Sequence, residues 1–269
     1  MHIRREIGIM RSILVYADRG GAMDARLETA LSIARTTKGH VTVLVDTPVT
    51  RFIAMDPMGG SYLATDALKQ ALEDDDAQAL AIEQQLSRDD VPFDVIRSEG
   101  EPVDALAAAA RLADIVILSR SSGLAGELAL ASRTPVLVID EATSLAVPVA
   151  SVCVAWDGGD ESAHALRAAV PLLTSASAVH VITVQEKPGG FPATDALRYL
   201  SRHGIKAELH ELARSGSTEE TIATAVARLQ AGVLVMGAYG KSRMREYFFG
   251  GVTRYFVEEC ATPALLLTH

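Results

Sequence analysis

The sequence has little of what marks secreted, membrane-spanning or nucleic-acid-binding proteins. Its two cysteines, Cys153 and Cys260, are too few for a disulfide-rich secreted domain. No apolar run approaches the roughly 20 residues that a transmembrane helix needs, and the charged N-terminal segment lacks the apolar stretch of a signal peptide. These absences predict a cytoplasmic protein that does not associate with membranes.

Basic and aromatic residues are scarce as well. The 34 acidic residues outnumber the 25 lysines and arginines and give a net charge of −9. This charge argues against a nucleic-acid partner, because neutralisation of phosphates supplies most of that affinity. Aromatic residues make up only 5% of the chain, so the core must consist mostly of Ala, Val, Leu and Ile. The length of 269 residues is compatible with two domains or with one large α/β barrel.

Four apolar segments in the first half of the chain recur in the same order in the second half. The pairs are SILVYAD (12–18) with SVCVAWD (151–157), HVTVLVD (40–46) with HVITVQE (180–186), ADIVILS (113–119) with AGVLVMG (231–237), and TPVLVID (134–140) with TPALLLT (262–268). Matches in one order indicate an internal duplication. We therefore predict two domains, residues 11–143 and 148–269, with the stretch around Pro148 as the linker.

Each repeat alternates short apolar segments with helical patterns. The segments rich in Val, Ile and Leu lack polar alternation, which is typical of parallel strands buried on both faces. Helical patterns occur at residues 25–37, 102–112, 162–173 and 219–230. This alternation predicts an α/β fold with two tandem open parallel sheets, each covered by helices on both faces.

The last apolar segment of each repeat is expected to be an edge strand. Residues 135–139 and 263–267 are apolar, and each begins with a proline, whose missing N–H is tolerated at the start of a strand. Unpaired apolar edges favour pairing, and the duplicated chain supplies both partners. We predict that these strands join the two domains as a pseudo-two-fold pair. A further dimer of two chains is compatible with the sequence but is not determined by it.

A glycine-rich segment follows the third apolar segment of the second repeat. Gly237 and Gly240 are separated by two residues, and nine more precede Gly250. Residues 237–256 contain four basic residues against one acidic residue, although the whole chain is acidic. Glycine after a buried strand lets a ligand approach the backbone, and free N–H groups at the start of the helical pattern 252–259 attract anions. Because ligands of open α/β sheets bind beyond the carboxyl ends of the strands, we expect a phosphate-containing ligand here.

The spacing G-xx-G-x9-G after a β-strand resembles the nucleotide motif of the universal stress protein A family. The resemblance extends over residues 11–268 and includes the first strand ending in Asp157 and the last strand beginning with Thr-Pro. It implies a tandem member of that family with the Rossmann-like, adenine nucleotide alpha-hydrolase-like fold in each domain. It further implies that the second domain binds ATP or AMP, with Mg²⁺ as a candidate accompanying ion.

The resemblance also implies which residues form the site. They are Ala155, Trp156, Asp157, Val184, Met236, Gly237, Gly240, Gly250, Gly251, Val252 and Thr253. The three glycines of the spacing would approach the phosphates and the ribose. The aspartate at the end of the first strand, with the two residues before it and Val184, would surround the adenine.

Two departures from the family pattern concern binding strength. The family usually has Ser or Thr where this sequence has Gly251, and the missing hydroxyl is expected to weaken binding by up to about tenfold, with Thr253 as a nearby substitute. In the first repeat, residues 119–123 replace the glycine loop, so that Asp18 has no loop to face it. We predict that the first domain has lost the site. A residual anion contact from Arg120 is the alternative.

The remaining polar residues are interpreted as structural. His40 and His180 lie at equivalent strand starts, and His164, His203 and His210 together lack metal-ligand spacing. Residues 74–76, three aspartates in a long helical stretch, are expected on a solvated face. The two cysteines are expected to be inert thiols.

Two classes of function remain open at this point, an adenine-nucleotide-binding regulator of the stress response and an enzyme. The enzyme would be a slow ATP hydrolase or phosphotransferase that uses the same loop. No general base or Mg²⁺-ligating pair of carboxylates is evident near Gly240, which favours a regulator with little or no turnover. A scaffold without nucleotide is a third alternative because of Gly251.

Overall fold

The eight apolar segments of the two repeats, together with two further strands, form one continuous sheet of ten strands. A computed structural model describes residues 10–18, 23–55, 61–184, 192–239, 251–260 and 263–269. The first half contains β1 (Ser12–Ala17), α1 (Met23–Thr37), β2 (His40–Asp46), β3 (Ile53–Met55), β4 (Ser61–Leu63), α2 (Thr65–Leu86), β5 (Phe93–Ser98), α3 (Pro102–Ala109), β6 (Ile115–Ser119), α4 (Ala125–Ala131) and β7 (Val136–Ile139). The second half contains β8 (Ser151–Ala155), α5 (Asp160–Ser175), β9 (Ala178–Val184), α6 (Ala193–Arg202), β10 (Glu208–Leu212), α7 (Thr218–Arg228), β11 (Val233–Gly237), α8 (Gly251–Arg254) and β12 (Ala264–Thr268).

The two halves have the same strand order, read outward from the centre of the sheet. The full order is β10-β9-β8-β11-β12-β7-β6-β1-β2-β5, while β3 and β4 form a separate hairpin. Strands within each half of the sheet pair in parallel. At the centre, β12 and β7 pair antiparallel with Leu266 opposite Leu137. The predicted α/β class and the predicted junction through the last strands are therefore confirmed.

Helices cover both faces of the sheet because successive strand residues point to opposite sides. Ile13 and Val15 belong to the apolar cluster beneath α1, α2, α5 and α6. Leu14 and Tyr16 belong to the cluster beneath α3, α4 and α7. Among the described residues, no helix combines the length and the apolar character that a membrane crossing would need.

The outermost strands, β5 and β10, were not identified by the repeat comparison. Their sequences, FDVIRS and ELHEL, are polar, and most of their residues are half-buried or exposed. An edge strand contacts only one neighbouring strand and carries polar side chains, so the continuous apolar pattern that revealed the inner strands is absent.

The interpretation of residues 74–76 as a solvated face was wrong for Asp75. This side chain lies on α2 and is buried, where it accepts a hydrogen bond from the hydroxyl of Thr47. Asp76 forms an ion pair with Arg97 of β5 at 2.9 Å. The helix packs over the outer strands with this face, which its local sequence does not reveal.

Arg120 connects the two halves beside the central junction. Its guanidinium donates hydrogen bonds to the carbonyl oxygens of Phe256, Val257 (3.3 Å) and Pro263 (3.0 Å). Burial lowers its pKa below the usual arginine value. The alternative of an anion contact is not what the structure shows, because Arg120 binds backbone oxygens of the second half.

Candidate functional site

A pocket of about 340 Å³ opens at the carboxyl ends of β8, β9 and β11. It lies between these strand ends, the first turns of α5 and α7, and α8. The predicted site residues that the structure describes all line it: Ala155, Trp156, Asp157, Val184, Met236, Gly237, Gly251, Val252 and Thr253. The predicted residues Gly240 and Gly250 lie outside the described residues.

The apolar part of the pocket comes from neighbouring parallel strands. Because β8 pairs with both β9 and β11, the ends of the three strands lie side by side. Ala155 ends β8, Met236 is the penultimate residue of β11, and Ile182 and Val184 belong to β9. Together with Ile222 of α7 they give the pocket an apolar wall.

Asp157 lies on the exposed side of the pocket and also has a structural role. Its Oδ1 accepts a hydrogen bond at 2.8 Å from the backbone N–H of Gly159, just before α5. Glu161, in the first turn of α5, lines the same pocket. The sequence interpretation missed this pair of carboxylates, since Glu161 belongs to a helix whose orientation the sequence does not give.

Gly237 is required for packing at the end of β11. A Cβ atom at this position would lie 2.5 Å from the backbone carbon of Glu161 and 2.7 Å from the nitrogen of Ser162. A glycine therefore lets the strand end approach the first turn of α5. At Gly251, in contrast, a Cβ atom would have no atom of the described residues within 4 Å.

Tyr239, the last described residue after β11, contacts α8. Tyr239 has a left-handed φ of 60°, which non-glycine residues seldom adopt. Its backbone N–H donates to the hydroxyl of Thr253 at 3.3 Å, so this hydroxyl holds the turn beside the pocket. Burial, followed by the charge of Glu258, raises the pKa of Tyr239 to about 12, and its phenol stays protonated at neutral pH. Helix α8 continues as a π-helical turn over Tyr255–Glu259.

The equivalent place in the first half is filled by its own side chains. The pairing registers Tyr16↔Leu44 and Ala155↔Ile182 place Tyr16 where the second half has Ala155. Tyr16 is buried, and burial together with its hydrogen bond to Asp46 raises its pKa far above the usual value.

Arg26 fills the neighbouring space in the first half. It is fully buried and forms an ion pair at 2.8 Å with Asp18, which ends the first repeat segment as Asp157 ends the second. Ser119, in the place of Gly237, donates a hydrogen bond to Asp18 at 2.9 Å. A comparison of the repeats residue by residue could have found these replacements, because the larger side chains stand directly in the aligned sequence.

The histidines and cysteines differ in how far they match their structural interpretation. His40 lies opposite Ser12, the first residue of β1. His180 lies opposite Cys153, which is the third residue of β8, so the two histidines do not occupy equivalent positions. His180 and His210 lie on neighbouring strands with ring nitrogens 3.1 Å apart. Burial raises the pKa of the Cys153 thiol to about 12, which agrees with an inert thiol.

The comparison with protein families identifies the second half directly. Residues 149–268 match the model described as the universal stress protein family. Over these residues the chain belongs to the universal stress protein family. A comparison with curated proteins found no significant match.

Solved structures show the same fold over both halves. A universal stress protein from Archaeoglobus fulgidus DSM 4304 is similar over 97% of this chain and 97% of its own, with a TM-score of 0.72 at 16% identity. A second solved structure, of a protein from Pseudomonas aeruginosa UCBPP-PA14 that carries the description universal stress protein, is similar over 98% of this chain and 94% of its own. Its TM-score is 0.59 at 17% identity. At these identities the likeness establishes the fold of the whole chain.

Proposed function

We propose that this universal stress protein binds one adenine nucleotide, ATP or AMP, in the pocket of its second half. The observation that carries the proposal is the convergence of the predicted site residues, which come from separate strands and loops, on one pocket. Its volume of about 340 Å³ lies within the range of about 300–1,000 Å³ that is usual for small-molecule sites.

The two sides of the pocket suit the two parts of a nucleotide. The side chains of Ala155, Ile182 and Met236 offer an apolar surface to a flat purine base. Gly251 and Thr253 also line the pocket. They belong to the segment 237–256, whose sequence has an excess of basic residues that would attract phosphate.

The carboxylates of Asp157 and Glu161 provide the oxygen donors that Mg²⁺ prefers. They would hold an ion that accompanies the phosphates, and the ion would neutralise part of the phosphate charge. Titrations with and without Mg²⁺ test this part of the proposal separately from nucleotide binding.

The first half is proposed not to bind nucleotide. Tyr16 and Arg26 fill the space that corresponds to the pocket, and the ion pair of Arg26 with Asp18 satisfies the strand-end carboxylate. We therefore expect one nucleotide per chain. The protein would act as a regulator in the cytoplasm that changes its interactions with the nucleotide, with little or no turnover.

Transferring the first-half side chain into the second half tests the site. Calorimetric titration of the full chain with ATP and with AMP is expected to give one site per chain. The variant Ala155→Tyr is expected to lose binding, because the phenol ring would occupy the space left for the base, as Tyr16 does in the first half.

The matched control is Ala155→Ser, which keeps the small side chain and is expected to bind like the wild type. Thermal unfolding of each variant establishes that it is folded. Two bound nucleotides per chain, or unchanged binding by a folded Ala155→Tyr variant, would contradict the proposal. Release of ADP, measured on the same sample, separates a regulator from a slow hydrolase.

A further inference from the structure

Two histidines and a glutamate converge on the outer strands of the second half, and none of them lines the nucleotide pocket. His180 lies on β9, and Glu208 lies directly opposite it on β10. His210 follows Glu208 by two residues, so it projects from the same face of the sheet. Among the described residues, this is the group of potential ligands whose donor atoms all lie within 4.8 Å of one another.

The distances between the donor atoms fit one metal ion. His180 Nδ1 is 3.1 Å from His210 Nε2, and Glu208 Oε2 is 3.7 Å from the former nitrogen and 4.0 Å from the latter. For metal–ligand bonds of about 2.0–2.1 Å, the donors of a tetrahedral site are separated by about 3.3 Å. The two distances to the Glu208 carboxylate are slightly longer than this separation, and the Glu208 side chain is exposed.

We propose that His180, Glu208 and His210 form a zinc-binding site. Two imidazole nitrogens and one carboxylate oxygen are a ligand set typical of zinc sites with three protein ligands. The fourth position would face solvent and take a water molecule, because Glu208 is 76% exposed while the two histidine side chains are only 11% and 20% exposed.

The three residues are held by rigid parts of the fold. Both histidines lie inside strands, and the register between β9 and β10 fixes their separation. The nearest likeness in the first half lacks the third ligand: His40 contacts the carboxylate of Asp94 at 3.3 Å, and this pair belongs to no described group of three potential ligands.

The three ligands are distinct from the residues of the proposed nucleotide pocket, because none of them lines it. The two sites are neighbours: Ile182, which lines the pocket, is two residues further along β9 than His180, a distance of about 7 Å in a strand. Zinc binding can therefore fail while nucleotide binding holds, and the reverse is equally measurable.

Calorimetric titration with ZnCl₂ tests the proposal. The sample is the full chain, from which a chelator has removed bound metal, and no nucleotide is present. The wild type is expected to bind one Zn²⁺ that the variant His210→Asn binds at least about tenfold more weakly. Glu208→Gln is expected to weaken binding as well. Because the Glu208 side chain is exposed, Glu208→Gln is expected to fold like the wild type. It therefore tests the site even if His210→Asn proves unstable.

His40→Asn is the matched control, because it removes a histidine that contacts a single carboxylate in the other half. It is expected to bind zinc like the wild type. Titration with Co²⁺ reports the ligands independently, since its visible absorption distinguishes four-coordinate from six-coordinate metal. Absence of zinc binding by the wild type, unchanged binding by folded Glu208→Gln and His210→Asn, or equal weakening by His40→Asn would overturn the proposal.

Discussion

The two halves differ at a few residues that decide whether a pocket is open. Ala155 leaves space at the end of β8 in the second half, and Gly237 lets the end of β11 approach α5 beside it. Tyr16 and Ser119 occupy the corresponding positions in the first half, and the buried Arg26 joins them. The same backbone thus carries an open pocket on one side and a filled one on the other, and side-chain size at equivalent positions is the cause.

Gly251 offers a substitution that should strengthen nucleotide binding. Among the described residues, no atom lies within 4 Å of a Cβ atom placed here, and the backbone is outside the left-handed region, so that its conformation accepts a side chain. Gly251→Ser is expected to raise the affinity for ATP by up to about tenfold, because one added hydrogen bond contributes about 0.5–1.5 kcal/mol. Calorimetry measures the change. Gly251→Ala adds the carbon without the hydroxyl and should bind like the wild type; an equal gain with Ala would show that the hydroxyl is not responsible.

At the scale of elements, the Arg120 side chain connects the turn after β6 with the π-helical turn and with Pro263, the residue before β12. Arg120 satisfies three backbone carbonyl oxygens of the second half, and two of them belong to the turn that follows α8. Because α8 carries Val252 and Thr253, this contact also supports one wall of the nucleotide pocket.

Removing the Arg120 guanidinium should destabilise the chain. Arg120→Met leaves carbonyl oxygens without their donors, and each buried unsatisfied group costs about 1–3 kcal/mol. We expect the free energy of unfolding in urea to fall by at least about 1 kcal/mol. Arg111→Met removes an exposed arginine of the same half and is expected to have little effect. Equal stability of the two variants would show that the Arg120 contact contributes nothing.

At the scale of the whole molecule, the duplication produces one sheet instead of two. The central pair of β7 and β12 turns two apolar edges into interior strands. Every described residue of β7 is buried, and Leu265, Leu266 and Leu267 of β12 are buried as well. The remaining edges are β5 and β10, which carry polar side chains suited to water.

Separating the two halves should therefore expose the unpaired edge of an apolar strand. Residues 148–269 expressed alone are expected to self-associate or precipitate, because β12 would present an unpaired apolar edge. Light scattering after size-exclusion chromatography measures the mass. Addition of residues 11–143 should convert the sample into a one-to-one complex, and a stable soluble monomer of the second half would contradict this prediction.

The sequence alone predicted the parts of the fold that depend on local pattern. Apolar segments without polar alternation indicate inner strands, and their recurrence in one order indicates the duplication. The pairing of 135–139 with 263–267 followed because two apolar edges in one chain favour each other. The ligand site after the strand that ends in Gly237 followed from sheet geometry, whereas Asp157 was assigned to the same pocket through the resemblance to the universal stress protein A family.

Tertiary structure alone decided where residues distant in sequence meet. His180 and His210 are 30 residues apart, and only the register of β9 with β10 brings their rings together. Asp75 is buried because α2 packs over β2 and β5, a contact that no helix sequence specifies by itself. The outer strands escaped prediction for the same reason: their polar residues gain a sheet neighbour only when the fold is complete, and strand pairing between distant segments is a property of the whole chain.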